Sequence, residues 1–176
     1  MKRSRAVRLA LMGSASAALA LPLAACDEPK QEVGVYPSAE ACTRDGVYSA
    51  DECRTAFDAA ATANAEAAPR FASKELCEDE FGDGRCEADS YHGGGYFMPF
   101  MLGYMMGGFG RSGVAPQPVY RSRSAGGAIV TSRGESVGTG FGRQTVRAAA
   151  TAAPQRTTSV VTSKGGFGTR ARFGGG

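Results

Sequence analysis

The chain has 176 residues, with 20 Lys and Arg against 17 Asp and Glu, one His and five Cys, and a formal net charge of +3. A balance so near neutral lacks the electrostatic footprint of a nucleic-acid protein, and no nucleic-acid partner is expected. The total hides an asymmetry. Residues 26–110 hold six basic and sixteen acidic side chains, whereas residues 111–176 hold ten basic ones and the single acid Glu135.

Residues 1–25 read as an export signal. Lys2, Arg3, Arg5 and Arg8 precede an Ala- and Leu-rich run that is too short and small-residued to span a bilayer. The run ends in Leu23-Ala24-Ala25-Cys26, which resembles the bacterial lipobox. That resemblance implies that Cys26 is lipidated and becomes the mature N-terminus. Each buried acyl methylene contributes about 0.8 kcal/mol to anchoring, so several chains hold a protein stably without a transmembrane helix. The expected location is the bacterial cell envelope, facing the periplasm. Asp27 directly after the cysteine favours the inner over the outer membrane.

Residues 26–35 are expected to be a polar tether. Beyond them one phrase occurs three times, as SAEAC at 38–42, SADEC at 49–53 and SKELC at 73–77. Each is a helix start: a Ser N-cap accepts a bond from a free backbone N–H, and an acid follows at the positive end of the dipole. Ser49 and Glu52 form a capping box. The second helix is predicted over about 50–67, ending before Pro69 because a pre-proline residue disfavours helical geometry. Turn chemistry at Asp45-Gly46 and Gly82-Asp83-Gly84 stops the first and third.

Residues 36–89 are therefore predicted to form a miniature α-domain. So small a core needs staples, and the compartment is oxidising. Cys42, Cys53, Cys77 and Cys86 are expected to form two disulfides. Three pairings are possible, and Cys42–Cys53 with Cys77–Cys86 closes the shortest loops. The spacing does not suit a zinc site, and the lone His92 is expected to be solvated.

Residues 90–110 form a Gly-, Met- and aromatic-rich apolar segment. Its dense part, 96–109, would reach about 21 Å as a helix, short of a bilayer core of about 30 Å. Three readings follow. Phe97, Met98, Phe100, Met101, Tyr104, Met105 and Met106 contact the membrane interface or a partner. The four Met thioethers bind a soft metal such as Cu(I). Or the strip packs against the α-domain. Contact with membrane or partner is favoured. Residues 111–176 have no usable periodicity and a Gly, Ser, Thr and Arg-rich composition, which predicts a disordered basic tail. Deleting the tail is then expected to leave the head's melting unchanged. Its partners would be anionic lipid, envelope polymer or the acidic front of another copy.

The arrangement resembles the YgiB/YjfM-like family of uncharacterised bacterial envelope lipoproteins. The carrying features are Cys26, the ordered Cys42, Cys53, Cys77 and Cys86, the stretch APRFASKELCEDEFGDGRC at 68–86, MPFMLGYMMG at 98–107 and GGFG at 165–168. The resemblance implies no assigned activity, fold or ligand. The expected fold class is thus mostly disordered chain plus a small all-α disulfide-stapled domain. The expected function is a structural or interaction lipoprotein, with Cu(I) binding or redox buffering as the alternative. No nucleophile–base–orienter set, phosphate loop or carboxylate pair is legible, so no catalytic residue, metal or cofactor is assigned and an enzyme is not expected.

Overall fold

A computed structural model describes residues 28–107, 114–164 and 167. The signal sequence, Cys26, Phe109 and most of the late GGFG lie outside the described residues. The three predicted helices are present as α1 (Ala39–Asp45), α2 (Ala50–Ala67) and α3 (Lys74–Phe81). Ser38, Ser49 and Ser73 cap them, each side-chain oxygen accepting from a backbone N–H three residues on, at 3.2, 3.3 and 3.3 Å. The Ser49–Glu52 capping box is complete, and α2 stops ahead of Pro69. Local physics governs these elements, so they follow from local sequence.

The fold class does not follow. The protein is a mixed α/β fold, not an all-α head on a disordered chain. The expected tether carries β1 (Lys30–Tyr36), and the α-domain contains β2 (Arg70–Phe71) and β3 (Cys86–Ala88). The apolar segment contributes β4 (Phe97–Pro99) and β5 (Gly103–Gly107). The expected disordered tail supplies β6 (Gln117–Arg121), β7 (Ile129–Thr131), β8 (Ser136–Gly138), β9 (Gly142–Arg147), a 3₁₀ turn (Ala148–Thr151) and β10 (Val160–Val161).

One sheet has the order β8-β7-β6-β5-β1-β9 and is antiparallel throughout. Its end strands β8 and β9 touch, so it curls almost closed into a barrel. The second sheet has the order β10-β2-β4-β3, with only β10 and β2 parallel.

Strand alternation sorts the core into three clusters. Val33, Val35, Met105, Val119, Ile129, Val137 and Val146 fill the inside of the curled sheet. On its outer face, Tyr36, Tyr104 and Met106 pack under α1 and α2 against Cys42, Cys53, Ala56 and Ala60. Tyr120 and Val130 turn outward to meet Phe71, Phe81 and Met98 below α3 and the small sheet. β5 is therefore buried on both faces. Its glycines permit close approach: a Cβ at Gly103 would strike the carbonyl of Tyr36, and one at Gly107 the side chain of Val114.

Disulfides join Cys42 to Cys53 and Cys77 to Cys86, across 11 and 9 residues. Each closes a short loop and contributes about 2–3 kcal/mol in the chain-entropy account. Met106 Sδ lies 3.7 Å from Cys42 Sγ. Because that sulfur is oxidised and carries no proton, the pair is a packing contact between a thioether and a disulfide.

Sequence charge asymmetry becomes intramolecular complementarity. Basic side chains of the second half return to acids of the first: Arg123 to Asp83, Arg147 to Glu28, Arg156 to Glu66 and Lys164 to Asp79. All four pairs are solvent-accessible, so each contributes little individually.

Three buried tyrosines give the fold an alkaline limit. Desolvation pushes the Tyr104 phenol up to about 12, and burial also raises Tyr36 and Tyr120. A raised phenol stabilises the fold fully below pH 10, and that contribution is lost as pH climbs through the folded value. Tyrosinate absorbance should therefore appear together with unfolding above pH 10. Ionisation of all six tyrosines well before any loss of circular dichroism would contradict this burial.

Candidate functional site

The seven residues expected to contact membrane or partner separate into two sets. Met98, Tyr104, Met105 and Met106 are at most 2% exposed and belong to the core. For these the contact expectation fails, because β5 is buried on both faces and Met98 of β4 packs inward against Phe71 and Phe81. Phe97 and Met101 are half-buried against the second and third clusters. Only Phe100 is exposed, at 48%. The four methionines also diverge: Met98, Met105 and Met106 enter three different clusters, and Met101 lies beside the one containing Met106. Their thioethers do not form a common ligand set. The reading of the strip as packed core describes most of it.

What remains outside the core is a set of exposed aromatics flanking β4, two in the β3–β4 loop and one beyond the strand's other end. Tyr91 and Tyr96 are 64% and 36% exposed, and Phe100 follows just after β4. Asp89 fixes this loop. Its backbone N–H donates to the Tyr96 carbonyl at 2.8 Å, closing the loop. Its carboxylate accepts from the Tyr91 N–H at 2.9 Å in an Asx-type turn. The same carboxylate faces His92 Nδ1 at 3.0 and 3.2 Å and Arg70 Nε at 3.4 Å.

Asp89 is only 1% exposed, and a carboxylate so buried requires a cation and hydrogen bonds. Arg70 on β2 supplies the charge. Gly93, Gly94 and Gly95 follow with φ of 86°, 83° and 89°, a run of left-handed backbone that side-chain-bearing residues rarely adopt. His92 is therefore anchored by Asp89, not merely solvated.

A carboxylate against Nδ1 orients an imidazole as in acid–base dyads. Among the described residues, however, no hydroxyl, thiol or amine is hydrogen-bonded to His92. Nor does any cluster of three or more His, Cys, Asp or Glu there suit a metal ion. The chemistry on view is positioning: a buried salt bridge holds a Gly-rich loop that presents aromatic side chains. Sequence reading missed Asp89 and Arg70. The Asp-x-x-His-Gly-Gly-Gly run at 89–95 is a local signal for the turn, whereas Arg70 is brought in by strand pairing.

Fold and site together define a disulfide-bonded, two-sheet α/β protein with an exposed aromatic loop tied down at Asp89. The chain belongs to the family described as protein of unknown function (DUF1190), whose profile matches residues 30–175. It is 37% identical over 166 residues to a UPF0441 protein of Erwinia tasmaniensis, covering 83% of this chain and 74% of that one. It is 33% identical over 181 residues to a UPF0441 protein of Sodalis glossinidius, covering 95% and 84%. A UPF0441 protein of Serratia proteamaculans is also 33% identical, over 83% and 74%. The expected membership of an uncharacterised bacterial family is thereby met. No solved structure matches. No helix among the described residues is long and apolar enough to cross a membrane.

Proposed function

We propose that this is a lipid-anchored protein of the bacterial envelope whose folded body is a non-enzymatic docking module, contacting a protein partner through Tyr91, Tyr96 and Phe100. The observation that carries it is the grouping of three exposed aromatics on one loop-and-strand unit pinned by buried Asp89. Rigid aromatic anchors bind at low entropic cost, which is why they dominate protein interfaces.

Geometry favours a protein over the membrane as the partner of these aromatics. β1 begins at Lys30, four residues after Cys26, so an extended tether reaches at most about 14 Å. Gly103 lies against Tyr36, at the other end of β1, and Phe100 and Met101 precede it. Seven residues of strand put that end about 20 Å from Lys30. A lipid at Cys26 draws the Lys30 end towards the bilayer and leaves Phe100, close in sequence to Gly103 at the far end of β1, turned towards the periplasm.

Two measurements in cells test the reading. Cys26→Ser should move the protein from the membrane to the soluble fraction, and unchanged fractionation would refute the anchor. A photo-crosslinker at Tyr91 should give a discrete protein adduct. Lipid adducts, or none, would refute docking by these aromatics.

A further inference from the structure

A cavity of about 650 Å³, the size of a small-molecule site, lies beside α3, with Phe71, Leu76, Val161 and Phe167 as apolar walls. Glu80 also lines it, although this residue is only 7% exposed. The loop after β6 fixes its carboxylate. Oε1 accepts from Ser122 Oγ at 2.6 Å and Ser124 Oγ at 2.7 Å, and the Arg123 N–H donates to the Glu80 carbonyl at 2.7 Å. Neutral hydroxyls solvate the charge in part but do not balance it.

Among the described residues no Lys, Arg or His is ion-paired with Glu80. The cations that line the cavity are held by other acids, Lys164 by Asp79 at 2.6 Å and Arg123 by Asp83 at 3.3 Å. Glu80 also stands in the last turn of α3, which contains no basic residue to meet the negative end of the helix dipole. Its position deepens the negative potential. The site therefore presents uncompensated charge at one point and apolar surface around it.

The hydrogen bonds narrow the kind of cation. Two hydroxyls fill the lone pairs of Oε1, whereas Oε2 has no hydrogen-bond partner among the described residues and is not sealed from solvent. One free oxygen suits a point donor such as a primary ammonium, while a guanidinium fork needs both oxygens.

We propose that this cavity binds a small primary amine in its ammonium form, with an N–H on Glu80 Oε2 and an aryl or alkyl body against the apolar walls. None of the docking aromatics Tyr91, Tyr96 and Phe100 lines it, so the site stands or falls apart from that reading.

The test uses the full chain in detergent at neutral pH, with 2-phenylethylamine as the probe and methyl NMR as the readout. Saturable shifts should appear at the Leu76 and Val161 methyls. 2-Phenylethanol keeps the body without the charge and should bind about tenfold or more weakly, the scale for losing a hydrogen bond between charged groups. The N,N,N-trimethyl derivative, charged but without an N–H, should also bind more weakly than the amine. Glu80→Gln keeps an oxygen for both serines and should bring the amine down to the affinity of the alcohol, with circular dichroism confirming the fold. Should that variant fail to fold, the three probes on the unaltered protein still decide. Equal binding of amine and alcohol, a trimethyl derivative that binds as tightly as the amine, shifts confined to residues outside the cavity, or no saturation at millimolar probe would each overturn the proposal.

Discussion

Deleting residues 111–176 should abolish cooperative folding of what remains. The expectation that the head melts unchanged without its tail is reversed by the strand order. β6 is the central partner of β5, and β9 is the other partner of β1. The deletion removes Val119, Tyr120, Ile129, Val130, Val137 and Val146, all at most 4% exposed. At about 1.5–3 kcal/mol for each buried side chain, the loss is roughly 9–18 kcal/mol. Net domain stability is about 5–15 kcal/mol, so no folded head should survive. The deletion also removes the Tyr120 hydroxyl, which donates to Asn64 Oδ1 on α2 at 2.6 Å. Near-ultraviolet circular dichroism of the truncated, oxidised protein should be lost and its thermal transition broad. A sharp transition at the full-length temperature would contradict this architecture.

Asp89→Ala should cost about 3–5 kcal/mol, because removing one partner leaves the other charge buried and uncompensated. The stranded group is Arg70, whose side chain is 13% exposed. Two further bonds go with the carboxylate, to the Tyr91 N–H and to the His92 ring. Arg70→Ala should be similarly costly, and the double variant should cost much less than the sum. Urea midpoints of the four proteins provide the measurement. A change below about 1 kcal/mol for Asp89→Ala would show that the carboxylate holds nothing in place.

The legible part of the protein is the part fixed by neighbours in sequence. Ser38, Ser49 and Ser73 announce their helices within four residues, and the two disulfides close loops that local turns already bring together. β5 was harder to read because a strand buried on both faces loses its alternation and becomes a continuous apolar run. Tyr104-Met105-Met106 therefore resembles a sticky strip, while Gly103 and Gly107 resemble linker glycines although close packing demands them. The tail misleads for a different reason. Its strands have two to six residues, and β6, β9 and β10 dock on strands of the first half, as when Lys30 faces Arg147 across more than a hundred residues. Composition registers the intervening Gly and Ser but not that pairing. The site divides along the same line, with the Asx turn at Asp89 local and its Arg70 counterion distant.

β5 is core, and the proposed docking element is the 89–96 loop. Native-state hydrogen exchange, compared between envelope fractions and purified protein, tests both halves at once. Amides of 103–107 should be among the slowest in either setting, bonded as they are to β1 and β6. Amides of 92–96 should exchange readily once purified and slow down in the envelope. Fast exchange of 103–107 in the purified protein, with protection appearing only in the envelope, would show that the Met-rich strand is the contact surface and contradict the account.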